Sequence, residues 1–224
     1  MVVVGLDGSS KGWVGVVLVD GRFDRALLHD SCTELLVASG AEVAGVDIPI
    51  GLPAADRRRA DLLARARLGR LASAVFPSPV RAVLDADSYD EANRLSRSAC
   101  GRGLSRQTWG LVPRIREVDE LVDRTPCPMH EVHPEVVFAD LAGGPLEHSK
   151  KTWAGMRRRV ALLAEVGVTL PDVLGPAGAA GIDDVVDAAA VAWMAGRIAE
   201  GRATTLPDPP DHDDVGRPMV IWTT

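Results

Sequence analysis

Residues 2–29 read VVVGLDGSSKGWVGVVLVDGRFDRALLH, and this stretch decides the fold. Two apolar runs rich in β-branched residues, at 2–6 and 13–19, predict two strands. The turn signal Asp20-Gly21 leads into a third predicted strand from Arg22 to His29. Because the links between them are short, the three strands are expected to form an antiparallel meander.

The next residues extend this sheet. Ser31 is predicted to cap a short helix that ends at Gly40, and Val43 to Ile48 reads as a strand buried on both faces. The order β-β-β-α-β is the arrangement of ribonuclease-H-like α/β folds. A Rossmann fold would instead begin β-α-β with a GxGxxG turn, which this region lacks.

The rest of the chain is predicted to be mostly helical. An arginine-rich segment from about residue 54 to 125 reads as a helical insertion, with helices at 54–72, 88–98 and 111–123. Further predictions are a strand from Met129 to Val132, helices at 150–166 and 182–199, a proline-bearing loop from Pro207 to Asp214 and a short strand at 219–222. The expected architecture is one ribonuclease-H-like domain over residues 1–224 that carries this insertion, with a mixed sheet and flanking helices.

Composition narrows the class of protein. The 224 residues carry a net charge of −6 and are 46% hydrophobic, which suits a folded domain and counts against non-specific binding of polyanions. Three separated cysteines fit neither a disulfide framework nor a thiolate zinc site. No apolar stretch is long enough to span a membrane and the N-terminal apolar run is too short for a signal peptide, so we expect a cytoplasmic protein without a membrane partner.

Several aspartates stand where a carboxylate needs an explanation. Asp7 closes the first strand, where it could simply form a turn, and Asp47 lies within the apolar run Ala44–Ile50, where a charge is costly unless it is paired or metal-bound. Asp183 and Asp184 could cap the last helix, but Asp187 lies beyond its first turn and shares a face with both. Which of Asp183 and Asp184 acts with Asp187 stays open.

Metal chemistry would connect these acids. Carboxylates that converge without a cation repel one another, whereas Mg²⁺ or Mn²⁺ accepts such hard oxygen ligands. We therefore predict a divalent cation site from Asp7, Asp47, Asp183, Asp184 and Asp187. Glu131, with His133 on the same face of its strand, could add a ligand and a proton carrier, or the two could be an ordinary polar strand end.

The combination of motifs resembles a known family. Val2–Asp7 followed by Gly12-Trp13, then Val46–Pro53, His130–Glu135 and Asp183–Ala188 are similar to the family called domain of unknown function 429. More distantly, Asp184-x-x-Asp187-Ala is similar to the last helix of RuvC-type resolvases. The resemblance implies a ribonuclease-H-like nuclease with catalytic Asp7, Asp47, Asp184 and Asp187.

A nuclease must bring a polyanion to this acidic centre. The arginine-rich segment is expected to supply the contacts through Arg57, Arg58 and Arg65, with Lys150 and Lys151 as further candidates. The expected function is metal-dependent phosphodiester hydrolysis with nucleic acid as partner. Two alternatives remain: an ATP- or phosphate-ligand-binding protein of the sugar-kinase and actin-like group, or a non-catalytic binding module. The oligomeric state is left open.

Overall fold

The computed structural model describes residues 1–224. Its strands are β1 (Val2–Ser9), β2 (Gly12–Val19), β3 (Arg22–His29), β4 (Val43–Val46), β5 (Met129–Glu131), β6 (Thr204–His212) and β7 (Pro218–Thr223). Its α-helices are α1 (Cys32–Ser39), α2 (Arg59–Leu68), α3 (Tyr89–Cys100), α4 (Arg106–Leu121), α5 (Pro134–Ala142), α6 (Trp153–Glu165) and α7 (Ile182–Ala199). Three short 3₁₀ helices span Gly69–Ala74, Arg81–Asp85 and Gly175–Ala179.

The central sheet has five strands in the order β3-β2-β1-β4-β5. β1 pairs with β2, and β2 with β3, in antiparallel fashion, whereas β4 runs parallel to β1 and β5 parallel to β4. This is the predicted mixed sheet, and it defines a ribonuclease-H-like fold. β6 and β7 form a separate antiparallel hairpin, which meets the main sheet through a bridge between Trp222 and Val132.

Alternation along β1 divides the core into two layers. Val3 packs with α7, whereas Val4 and Leu6 join the cluster on the other face, which includes residues of α1 and α4. A two-residue period therefore places Gly5 and Asp7 on the same face as Val3, towards α7. Gly45 in β4 and Asp47, which follows the end of β4, are also two residues apart and so share a face in the same way.

Two glycines let α7 lie directly on the sheet. A Cβ atom on Gly5 would lie 2.1 Å from the carbonyl oxygen of Ala188, and one on Gly45 would lie 2.7 Å from the side chain of Val191. Real Cβ atoms do not approach other atoms this closely, so only glycine permits the contact. The close approach brings the first turns of α7, including Asp187, towards the carboxyl ends of β1 and β4.

Most predicted elements are present, with shifted ends. The capped helix is α1, where Ser31 accepts a hydrogen bond from Glu34 N and Gly40 is left-handed. The predicted helix at 54–72 is shorter, since α2 begins at Arg59 and a 3₁₀ turn follows it. The predicted helix at 111–123 begins earlier, at Arg106, because Ser105 caps it.

Two regions differ from prediction. Pro207 to Asp214 was predicted as a loop, but Thr204–His212 is strand β6. The prolines fall in the gap between Leu206 and Asp211, where the ladder with β7 is interrupted, so no missing N–H weakens the pairing. Helix α5 was not predicted; Pro134 begins it, and its nine residues give little periodic signal.

The segment between β4 and β5 contains only helical elements, α2 to α4 with two 3₁₀ turns. Parts of it cover the strand ends near Asp7 and Asp47, since Asp61, Val75, Phe76, Leu111 and Arg114 line the same cavity as these aspartates. That the chain is one domain with an insertion here stays a prediction. No helix in the chain combines the length and apolar character needed to cross a membrane.

Candidate active site at the carboxyl ends of β1 and β4

A cavity of about 250 Å³ opens where β1, β4 and β5 end. Asp7, Asp47 and Asp187 all line it, together with Glu131, His133, Glu135 and Lys150. The register explains the first pair, because Leu6 lies beside Val46 in the parallel ladder and Asp7 and Asp47 follow them. The N–H of Asp47 donates to the carbonyl of Leu6 at 3.0 Å, which holds the two strand ends together.

The three aspartates share an environment that disfavours their charge. Asp7 is 9% exposed and Asp187 is 1% exposed. Burial raises the pKa of Asp7 well above its usual value, and the charges of Asp47 and Asp187 raise it further. Burial likewise raises the pKa values of Asp47 and Asp187 to about 7, although Lys150 opposes the rise at both.

Lys150 supplies the positive charge in this cluster. Its ammonium group donates to Asp187 Oδ2 and lies 3.9 Å from Asp183 Oδ2. Burial lowers the pKa of Lys150, but Asp187, Asp7 and Asp47 together raise it above its ordinary value. One ammonium group thus faces three carboxyl groups, which leaves negative charge uncompensated when all three ionise.

The donor chemistry at this cavity fits a hard divalent cation. All three aspartates offer oxygen atoms, and Asp187 Oδ1 is buried without a hydrogen-bond partner. Their spacing does not yet fit, since no three His, Cys, Asp or Glu side chains lie close enough together to hold one ion. The predicted divalent cation site is therefore not assembled in this conformation, in which Lys150 lies among the aspartates and donates to Asp187.

The three aspartates at the start of α7, Asp183, Asp184 and Asp187, have different surroundings. Asp183 pairs with the side chain of Lys151, and this pairing keeps its pKa below the usual value despite partial burial. Asp184 is half-buried. Neither residue lines the cavity, whereas Asp187 does. The sequence could not choose between Asp183 and Asp184, and the structure directs only Asp187 into the cavity.

Glu131 lines the cavity but both of its oxygens are already engaged. Arg58 donates to Oε1 at 2.5 Å and to Oε2 at 2.8 Å, and the N–H of Ile50 also donates to Oε2 at 2.7 Å. Burial raises the pKa of Glu131 to about 7, an effect that Arg58 opposes. Glu131 therefore holds the loop after Asp47 in place, and its oxygens are not free for the predicted role as a further ligand.

The predicted substrate contacts from α2 need correction. Arg58 is fully buried between Glu131 and Asp61, so it cannot reach a substrate on the surface. Arg65 donates to the carbonyl of Val75, and Arg57 is exposed beside a neighbouring cleft. None of the three lines the carboxylate cavity. The arginine that does is Arg114 of α4, which packs on Gly8 and bonds to Ser9 O.

Lys151 is also absent from the cavity, because its side chain is 71% exposed and pairs with Asp183.

Sequence reasoning missed Glu135 and Arg114, and it considered His133 only as a neighbour of Glu131. Glu135 accepts two hydrogen bonds from the buried Arg159, and His133 has a buried Nδ1 without a partner. The clue in the sequence was the run His133-Pro134-Glu135. Proline is common at the first position of a helix, so Pro134 indicates a helix start, and His133 and Glu135 flank that start at the cavity.

A ribonuclease-H-like fold with a carboxylate cavity at its strand ends defines the class of this protein. Residues 5–212 match the family described as "Protein of unknown function (DUF429)", and the chain belongs to that family. A solved structure of Thermus thermophilus RuvC is similar, with 14% identity, a TM-score of 0.41 and coverage of 90% of this chain and 98% of that chain. No curated protein matches the chain.

Proposed function

We propose that the protein hydrolyses phosphodiesters at this cavity with the help of a divalent cation. The observation that carries the proposal is that Asp7, Asp47 and Asp187, from three separate elements, line one cavity with raised pKa values. Clustered acidic groups of this kind are a common feature of catalytic sites. The unpartnered Asp187 Oδ1 supports the same proposal.

Once their oxygens are brought closer together than in this conformation, Asp7, Asp47 and Asp187 would hold Mg²⁺ or Mn²⁺. Such an ion, when bound, polarises a phosphoryl oxygen and lowers the pKa of a water molecule. Lys150 donates to Asp187, so cation binding would require it to release that carboxylate, and its ammonium group would then be free to bond to a phosphate oxygen. The loop that carries it, between α5 and α6, contains Gly143 and Gly144 and has no regular secondary structure.

Other side chains would position the reacting groups. Arg114 adds a second positive charge to the cavity lining. Burial lowers the pKa of His133, so its imidazole is neutral near pH 7 and its Nδ1 can accept a hydrogen bond from water. The Arg58–Glu131 pair, through the bonds from Arg58 to the carbonyls of Ile50 and Gly51, fixes the backbone that follows Asp47.

Hydrolysis of bis(p-nitrophenyl) phosphate in Mn²⁺ or Mg²⁺ tests the proposal. We expect activity from the intact chain and a loss of about a hundredfold or more in Asp47→Asn, because cation assistance contributes several kcal/mol to the barrier. Asp172→Asn is the matched control, since Asp172 is exposed and lies outside the cavity. Equal activity in both variants, or none in the intact chain with either cation, would contradict the proposal.

A further inference from the structure

Part of the cavity lining is apolar, which a phosphate group alone would not require. Six of its 19 lining residues are hydrophobic, among them Val75, Phe76 and Leu111. Phe76 is 39% exposed, although a large aromatic side chain gains free energy from burial. An aromatic side chain that remains accessible beside carboxylates can stack against a flat ring of the substrate.

The size of the cavity limits what can enter. Its volume of about 250 Å³ exceeds the ~150 Å³ cavity that holds a benzene molecule and falls below the usual ~300–1,000 Å³ of larger ligand sites. A base with its sugar phosphate is of the appropriate scale, partly projecting through the opening. A longer segment would have to lie outside.

Ion pairs within the protein already engage part of the arginine charge of the segment between β4 and β5. Six of the fourteen arginines between residues 54 and 125 are already paired with acids of the protein: Arg58, Arg59, Arg67, Arg81, Arg94 and Arg102. Such pairing cancels part of the field that would attract a polyanion. The net charge of −6 acts in the same direction.

We propose that the cavity takes one unpaired nucleoside phosphate unit, with its base on Phe76 and its phosphate towards Arg114, Lys150 and the aspartates. The phosphate position rests on the proposed function; the base position rests on Phe76 and the apolar lining. The unit is either a free nucleotide or a nucleotide of a single strand. A nucleotide in the interior of a duplex cannot place its ring against Phe76, because both of its faces are stacked on neighbouring bases.

Calorimetric titration in Mg²⁺ tests this with AMP and ribose 5-phosphate, which differ by the base. AMP should bind at least about tenfold more tightly, since base stacking contributes roughly 1–3 kcal/mol. Phe76→Ala should reduce the affinity for AMP to that for ribose 5-phosphate, and Phe76→Tyr should retain it. Leu63→Ala is the control, because Leu63 is equally exposed at 39% and lies outside the cavity.

Competition then identifies the source of the nucleotide. A single-stranded oligonucleotide that binds more tightly than AMP indicates a strand, and one that binds no more tightly indicates a free nucleotide; both support the proposal. Equal affinity for AMP and ribose 5-phosphate, no AMP binding at millimolar concentration, or a blunt duplex that competes as well as the single strand would overturn it.

The two proposals can fail separately. AMP is a monoester, so its binding requires no diester cleavage. If AMP binds through Phe76 but no diester is hydrolysed, the proposed hydrolase activity is wrong and the nucleotide site stands. If diesters are hydrolysed and AMP binds no better than ribose 5-phosphate, the hydrolase stands and the nucleotide site is wrong.

Discussion

At the scale of single residues, the cavity is shaped by which charges are paired and which are not. Arg58 and Glu131 satisfy each other, and Arg159 does the same for Glu135. Asp7, Asp47 and Asp187 share one neighbouring ammonium group, that of Lys150, so the cost of burying their negative charges is only partly offset. Buried charge without full compensation costs stability and is retained where it serves a function.

Lys150→Met should destabilise the chain by about 2–3 kcal/mol at pH 7.5, because it leaves the cluster of carboxylates without a cation. The loss should be smaller at pH 5.5, where Asp47 and Asp187, with pKa values of about 7, are protonated. Urea unfolding at the two pH values measures this. Lys151→Met is the control and should cost under about 1 kcal/mol, since the Lys151 side chain is 71% exposed. Equal losses in the two variants would contradict the assigned role of Lys150.

Arg58→Ala should destabilise the chain by about 3–5 kcal/mol, because it leaves Glu131 and Asp61 buried without their partner. Arg57→Ala, one residue away and exposed, should change the unfolding free energy by less than about 0.5 kcal/mol. Chemical denaturation of both variants gives the comparison. If Arg58→Ala unfolded no more readily than Arg57→Ala, Arg58 would not be the structural residue described above.

At the scale of elements, the contact of α7 with β1 and β4 positions the site. Gly5 and Gly45 allow the helix to approach, and the two-residue period of the strands then points Asp7 and Asp47 towards it. The first turns of α7 carry Asp187 to the same cavity. The packing of one helix on two strands therefore assembles the three carboxylates.

Gly5→Ala should be strongly destabilising, by about 3 kcal/mol or more, because the new methyl group would overlap the backbone of α7 at Ala188 and Ala192. Gly110→Ala in α4 serves as the control. Nothing lies within 4 Å of its Cβ position, so this substitution should stabilise the chain by up to about 1 kcal/mol. Thermal unfolding of both variants, followed by far-UV circular dichroism, measures the difference. A tolerated Gly5→Ala would contradict the close contact between α7 and β1.

At the scale of the whole molecule, the fold collects groups whose pKa values are shifted in opposite directions. Asp47, Glu131 and Asp187 have pKa values of about 7, and that of Asp7 is raised well above its usual range. Burial lowers the pKa values of His130 and His133, while those of Asp183 and Asp213 are lowered by their partners. The pH dependence of stability follows from the sum of these shifts.

The free energy of unfolding should therefore fall as pH rises from about 5 to 7.5. In this range the four acids bind more protons in the folded chain than in the unfolded chain, where their pKa values are near 4, so stability decreases with pH. His130 and His133, whose pKa values are lowered, make stability rise with pH up to about pH 6.5, but there are two of them against four acids. Below about pH 4 stability should fall again as Asp183 and Asp213 lose their charge.

Urea unfolding at pH 3, 4, 5, 6 and 7.5 measures this profile. Asp47→Asn should flatten the decline between pH 5 and 7.5, because its side chain cannot ionise. Asp172→Asn, at an exposed position, should leave the profile unchanged. A stability that rises steadily from pH 5 to 7.5 would show that these carboxyl groups do not have raised pKa values.

The local sequence determined most of the fold. Alternation and turn residues predicted β1 to β4 and α1, because each signal lies within a few residues of the structure that it specifies. It also singled out Asp7, Asp47 and Asp187, since a carboxylate in an apolar strand or on an apolar helix face stands out wherever the chain goes. Helix α5 and strand β6 were missed because a proline changes the expected pattern in both.

Only the tertiary structure decided which charged residues meet. Arg58 looked like a surface contact in a basic run, but Glu131, 73 residues away, draws it into the core. Lys150 and Lys151 are neighbours in sequence, yet one lies among the aspartates and the other is exposed. Phe76 and Arg114 reach the cavity from the segment between β4 and β5 with no local signal. Ion pairing and cavity shape depend on distances between remote parts of the chain, and these distances are set when α7 and the covering helices pack on the sheet.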